Sequence, residues 1–158
     1  MRQEPLAART AIETIVSHSK ESAVALLKLC HEELKGTRGV VMGIAGINFQ
    51  DDTMTWLAVG NVEGILLRGD PAASPPYETI MQRGGTVGFR LPPLHASVLS
   101  LAHGDTIIMA TDGIASGFER EFRTAIHPQK LADQICDRYA RDNDDALVLV
   151  AKYLRGAP

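Results

Sequence analysis

The chain has two cysteines among its 158 residues, Cys30 and Cys136, and neither belongs to a CxxC pair. A disulfide scaffold or a cysteine-rich zinc knuckle is therefore not expected, and each thiol falls on the apolar side of a predicted helix, as a buried side chain would. Long hydrophobic runs are missing too. No apolar stretch approaches the roughly 20 residues of a membrane helix, and the start, Met1-Arg2-Gln3-Glu4-Pro5, has no apolar segment of the secretory type, so a cytoplasmic protein is expected. An excess of charge of either sign is also lacking. With 16 basic against 19 acidic residues and a net charge of −3, nothing favours a nucleic acid or an anionic membrane as partner.

Several catalytic patterns are missing as well. There is no GxxxxGK[ST], no GxGxxG between a strand and a helix, and Gly84-Gly85-Thr86-Val87-Gly88 reads as a turn. Ser116 in Gly113-Ile114-Ala115-Ser116-Gly117 lacks the spacing of a nucleophile elbow. The five histidines show no HxxxH or HExxH spacing, which makes them surface, turn or capping residues rather than zinc ligands. Cys30 and His31 are adjacent, point to different helix faces and do not form a nucleophile and base pair.

What is present describes an ordinary globular chain, 45% hydrophobic and 22% charged, most simply a single domain over residues 1–158. Helical spacing predicts a helix over 4–17 with Pro5 in its first turn. A second follows, with Ser19 as cap, Ala23, Leu26, Leu27, Cys30 and Leu34 on one face, and Gly36 at its end. Strands are expected over 40–49, 53–59 and 62–67, the first two joined by a turn at Gln50-Asp51-Asp52. In the second strand both alternating sets are apolar, which predicts burial on both faces. Residues 69–79 hold three prolines and read as a surface loop. After short strands come the strand 106–110, a helix opened by Pro128 with Leu131, Ile135 and Tyr139 at four-residue intervals, and a last strand over 146–153. The order, without regular βαβ alternation, predicts an antiparallel α+β layered fold.

Two strands end or begin in acidic turns: Ile107-Ile108-Met109-Ala110-Thr111-Asp112-Gly113 and Asp144-Asp145-Ala146-Leu147-Val148-Leu149-Val150. Carboxylates at two strand tips suit a hard cation such as Mg²⁺ or Mn²⁺, which takes oxygen ligands. Asp is equally a turn former, so the pairing has meaning only if the two strands are neighbours. In Asp142-Asn143-Asp144-Asp145 three carboxylates repel one another unless solvated or neutralised by a cation. Arg38 enters a strand at an element end, where a guanidinium can fork onto phosphate oxygens or serve as a surface ion-pair former.

Taken in order, Thr37-Arg38-Gly39-Val40-Val41-Met42, Trp56-Leu57-Ala58-Val59-Gly60-Asn61-Val62-Glu63-Gly64, Gly104-Asp105, Ala110-Thr111-Asp112-Gly113 and the terminal Asp144-Asp145-Ala146-Leu147-Val148-Leu149-Val150 resemble the metal-dependent protein phosphatases. The resemblance is to the protein phosphatase 2C-like branch that includes SpoIIE and RsbX, and it runs from about Ala7 onward. It implies an α-β-β-α sandwich of two antiparallel sheets flanked by helices. It also implies Mn²⁺ or Mg²⁺ as cofactor, two ions in the family, with Asp112 and Asp144 as metal ligands and Asp145 a weaker candidate. Arg38 and Asn61 become candidate substrate contacts. The implied activity is hydrolysis of phosphoserine or phosphothreonine on a bacterial regulatory protein of stress-response or sporulation signalling, such as a STAS-domain protein, by a monomer.

One departure qualifies the expectation. The family places an Asp-Gly-x-Gly-His-Gly strand end before its first helix, with an Asp that bridges both metals. Here residues 4–14 already resemble that first helix, so the expectation is a domain without its N-terminal strand and first metal-binding motif, through a shortened start or as a natural variant. Asp112 and Asp144 would then hold one ion or none, and the alternative function is a catalytically impaired module that only binds the regulatory partner.

Overall fold

The computed structural model describes residues 4–122 and 126–155 and has an α+β fold. In chain order come α1 (Glu4–Ser17), α2 (Ala23–Glu33), β1 (Met42–Asn48), β2 (Thr53–Val59), β3 (Val62–Leu67), β4 (Tyr77–Ile80), β5 (Ser97–Ser100) and β6 (Thr106–Thr111). A single 3-10 turn (Phe118–Arg120), α3 (Pro128–Tyr139) and β7 (Val148–Lys152) follow. The strands make two antiparallel sheets, ordered β1-β2-β5 and β4-β3-β6-β7. The expected fold class, two antiparallel sheets with helices, is the one observed.

The chain forms two compact units. The first takes the chain through Ile47 with Met54–Asn61 and Gln82–Leu99. Its core is a helix pair on a sheet: Ala7 and Ala11 of α1, Leu27, Cys30 and Leu34 from α2 and its C-terminus, and Met42, Leu57 and Val59 of the strands, joined by Val87. Small side chains on α1 permit close approach, and Cys30 Sγ donates to the Ala11 carbonyl at 3.7 Å. Burial pushes the Cys30 thiol up, as suits an inert packing residue. Met54, Trp56 and Ala58, on the other face of β2, are also buried, so the two-faced apolar pattern of that strand was a true signal.

The second unit takes Asn48–Thr53, Val62–Met81 and the chain from Ser100 on. Here α3 and the 3-10 turn cover one face of the four-stranded sheet. Ile65 and Leu67 of β3, Ile108 and Ala110 of β6, Ile114, Phe118 and Phe122, and Leu131 and Ile135 of α3 form its core. Fully burying such side chains stabilises by about 1.5–3 kcal/mol each.

Three local expectations are corrected. The N-cap of α2 is Ser22, whose hydroxyl accepts from Ala25 N at 3.2 Å, and not Ser19; a cap must stand directly before the first helical turn to reach its free amides. The proline-rich loop ends earlier than expected, because Tyr77–Ile80 pair with β3 in the register Leu67↔Tyr77 to Gly64↔Ile80. The last strand begins at Val148, and Ala146 and Leu147 lie outside it.

Candidate functional site

The second unit brings the two acidic turns together. β6 and β7 are antiparallel neighbours with Ala110 opposite Val148, so the end of one lies beside the entry to the other. Thr111 extends the pairing past the regular ladder: its N–H donates to the Leu147 carbonyl at 3.0 Å, and its hydroxyl accepts from Leu147 N at 2.9 Å. Beyond it Gly113 packs against the acidic segment so closely that a Cβ there would lie 2.1 Å from the Asp145 carbonyl oxygen. The Gly113 carbonyl accepts from Arg141 N at 2.8 Å, and Ala115 N donates to the Tyr139 carbonyl at 2.8 Å. The Asp112-Gly113 turn is thus bound along its length to the chain that carries Asp144.

Asp112, Asp144 and Asp145 are all exposed. Asp144 Oδ1 accepts from Asp145 N at 2.9 Å, which fixes the turn and leaves Oδ2 outside that bond. The result is a solvated, all-oxygen, negatively charged end to a rigid sheet, a donor chemistry that suits Mg²⁺ or Mn²⁺. Among the described residues no group of three His, Cys, Asp or Glu side chains that could hold a metal ion is found. The side-chain donors that the two strand tips offer are therefore the carboxylates of Asp112, Asp144 and Asp145.

Arg38 and Asn61 belong to the first unit. Arg38 is exposed and sits in a braced bend: Thr37 Oγ1 donates to the Leu34 carbonyl at 2.7 Å and accepts from Gly39 N at 2.9 Å. Gly39 has φ +70°, and a Cβ there would lie 2.5 Å from the Val87 carbonyl oxygen, so only glycine fits. Asn61 is exposed after Gly60, which has φ +92° and packs on Val41. Each thus neighbours a glycine whose position leaves no room for a side chain.

Four of the five histidines serve the backbone. His31 Nδ1 accepts from Gly88 N at 2.9 Å, His127 caps α3 by accepting from Gln129 N at 3.3 Å, and His18 and His103 lie within 3.0 and 2.9 Å of the Thr14 and Leu154 carbonyls. Sequence reasoning missed Thr111 and Gly113 as organisers of the acidic site. The only sequence signal was their place beside Asp112, because the contacts they make are with a segment roughly 30 residues further on. No helix among the described residues is long and apolar enough to cross a membrane.

A family model described as Stage II sporulation protein E (SpoIIE) matches residues 5–154. No curated protein matches the chain. Among solved structures, one described as "The bacterial stressosome: a modular system that has been adapted to control secondary messenger signaling" is 27% identical, with 95% of this chain and 78% of that chain covered and a TM-score of 0.81. RsbX in complex with magnesium is 18% identical over 91% of this chain and 70% of its own, with a TM-score of 0.78. A Stage II Sporulation E Family Protein from Thermanaerovibrio acidaminovorans is 18% identical over 97% and 90%, with a TM-score of 0.62. At such identity the last two speak for the fold alone. The family match, however, covers nearly the whole chain and includes both acidic strand ends, and the chain belongs to the SpoIIE family, of the SpoIIE/RsbX protein phosphatase 2C-like type.

Proposed function

We propose that this chain is a metal-dependent phosphoprotein phosphatase domain that hydrolyses phosphoserine or phosphothreonine on a bacterial regulatory protein of stress-response or sporulation signalling. The observation that carries this reading is the placement of Asp112 and Asp144 at adjoining ends of neighbouring strands in a chain of the SpoIIE family. Mn²⁺ or Mg²⁺, when bound, supplies a water acidified enough to attack phosphorus and offsets charge on the phosphoryl oxygens. In this reading Asp112 and Asp144 hold the ion on a rigid frame. Arg38 and Asn61, in the first unit, are proposed as contacts to the phosphorylated substrate. A phosphorylated STAS-domain protein is the proposed substrate; the similarity to a structure described with the bacterial stressosome supports a signalling partner. The domain is proposed to work as a monomer in the cytoplasm.

Phosphate release from a phosphoserine peptide, followed with and without Mn²⁺, tests this reading. Mn²⁺-dependent release that falls to background in Asp112→Asn is expected. Absence of release, or release untouched by Asp112→Asn, overturns it.

The lack of a third acidic or imidazole ligand among the described residues favours a second reading, a phosphatase-like module that binds its partner without turnover. That reading expects a phosphorylated STAS-domain protein to bind in chelator and to be recovered still phosphorylated after Mn²⁺ is added.

A further inference from the structure

Beside the acidic strand ends, the second unit holds another pair of carboxylates, in a very different setting. Glu63 opens β3 opposite Ala110 of β6. Strand alternation puts it on the same face as Ile65 and Leu67, the face that packs against the 3-10 turn and α3. Ala110, its cross-strand partner, is small and buried. Phe118 anchors that turn in the core, fully buried, and Glu119 beside it is only 7% exposed.

Glu119 is the anomaly. Its Oε2 is buried and has no hydrogen-bond partner among the described residues. Its Oε1 has Arg120 Nε at 3.8 Å, but that guanidinium is 78% exposed and the pair is a loose, solvated one. Glu63 feels the same crowding. Burial raises its carboxyl above the ordinary carboxylate range and the Glu119 charge raises it further, while a hydrogen bond from the Ser116 hydroxyl pulls it partly back. A buried carboxylate oxygen without a hydrogen-bond partner, on a residue whose charge acts on a second half-buried carboxylate, is a costly arrangement in a folded protein unless something positive neutralises it.

We propose that Glu63, Ser116 and Glu119 form a cation site of their own, distinct from the Asp112 and Asp144 pair, that takes a hard divalent ion through oxygen donors. Two carboxylates and a hydroxyl, with water completing the shell, suit Ca²⁺, Mg²⁺ or Mn²⁺ and not a soft metal. The consequence is mechanical. Ser116 and Glu119 follow Asp112 by four and seven residues, and Glu63 belongs to the neighbouring strand. An ion shared among them ties the segment after Asp112 to β3 and stiffens the turn that presents Asp112. This inference does not rest on phosphatase activity.

The test uses the full chain carrying Asp112→Asn and Asp144→Asn, so that the strand-tip pair is silenced, with Mn²⁺ alone as the paramagnetic probe in amide NMR. Selective broadening of the Glu63, Ser116 and Glu119 amides is expected. Glu119→Gln in the same background should abolish it, with spectral dispersion reporting that the variant folds. Ser116→Ala, a milder change, should weaken the apparent Mn²⁺ affinity about tenfold, the scale seen when supporting ligand-shell groups are removed. No selective broadening at these amides overturns the proposal, as does broadening centred on residues 142–145 that ignores both Glu119→Gln and Ser116→Ala.

Discussion

Gly113 shows how little space the strand-tip site has to spare. Its missing side chain lets the Asp112 turn lie directly against the Asp145 carbonyl, and an added Cβ would meet that backbone oxygen at 2.1 Å. Backbone on both sides cannot yield as a flexible side chain could, so Gly113→Ala is expected to destabilise by about 1–3 kcal/mol, the usual cost of overpacking. It should also weaken Mn²⁺ binding by displacing Asp144. Urea unfolding read beside a calorimetric Mn²⁺ titration checks both, with Gly84→Ala as the control, since a Cβ at Gly84 meets nothing within 4 Å. Asp112 and Asp144 were legible in the sequence because each stands at the end of an apolar run. Glu63 and Glu119 were not, because their pairing depends on a β3 face and a 3-10 turn meeting across more than 50 residues.

The elements are held by a few polar fixtures as much as by apolar faces. Asp105, 1% exposed, accepts from Gly69 N at 2.7 Å, from Ala102 N at 2.9 Å and from Arg68 at 2.9 Å, and Arg68 also bonds Glu78 of β4. One carboxylate thus joins the end of β3, the turn before β6 and, through Arg68, the edge strand β4. Asp105→Ala leaves two amides without their acceptor, while Arg68 keeps Glu78 and the Ser100 carbonyl. It should cost about 2–4 kcal/mol, the scale for buried donors left unsatisfied, measured as the shift in urea midpoint at unchanged slope. A loss below about 1 kcal/mol would show that water replaces the carboxylate easily. Sequence pattern found most elements, since α1, β2, β3 and α3 each bury a periodic stripe. It failed at β4, where Tyr77–Ile80 follow three prolines and have no alternation strong enough to mark a strand; pairing with β3 decides their conformation.

At the scale of the whole molecule, a cation that binds only the folded state must raise its thermal stability. The gain is RT ln(1 + [L]/Kd), about 2.7 kcal/mol at a hundredfold excess over Kd. Mn²⁺ is therefore expected to raise Tm in the natural chain and to raise it less in Asp112→Asn/Asp144→Asn, as scanning calorimetry would show; equal shifts would mean that the strand tips hold no ion. The sequence by itself determined the kind of molecule this is: a modest net charge, few cysteines and short apolar runs with periods of 2 and 3.6 imply an α+β globular fold, and ordered short motifs place it in the SpoIIE family. These are local properties, set by residue spacing along the chain. Only the tertiary structure decided that β6 and β7 are neighbours, that Thr111 and Gly113 weld their acidic ends together, and that Glu119 is buried where its charge acts on Glu63. Each is a contact between distant segments, and burial and pairing across such distances depend on which faces meet, a choice that no spacing within a single segment encodes.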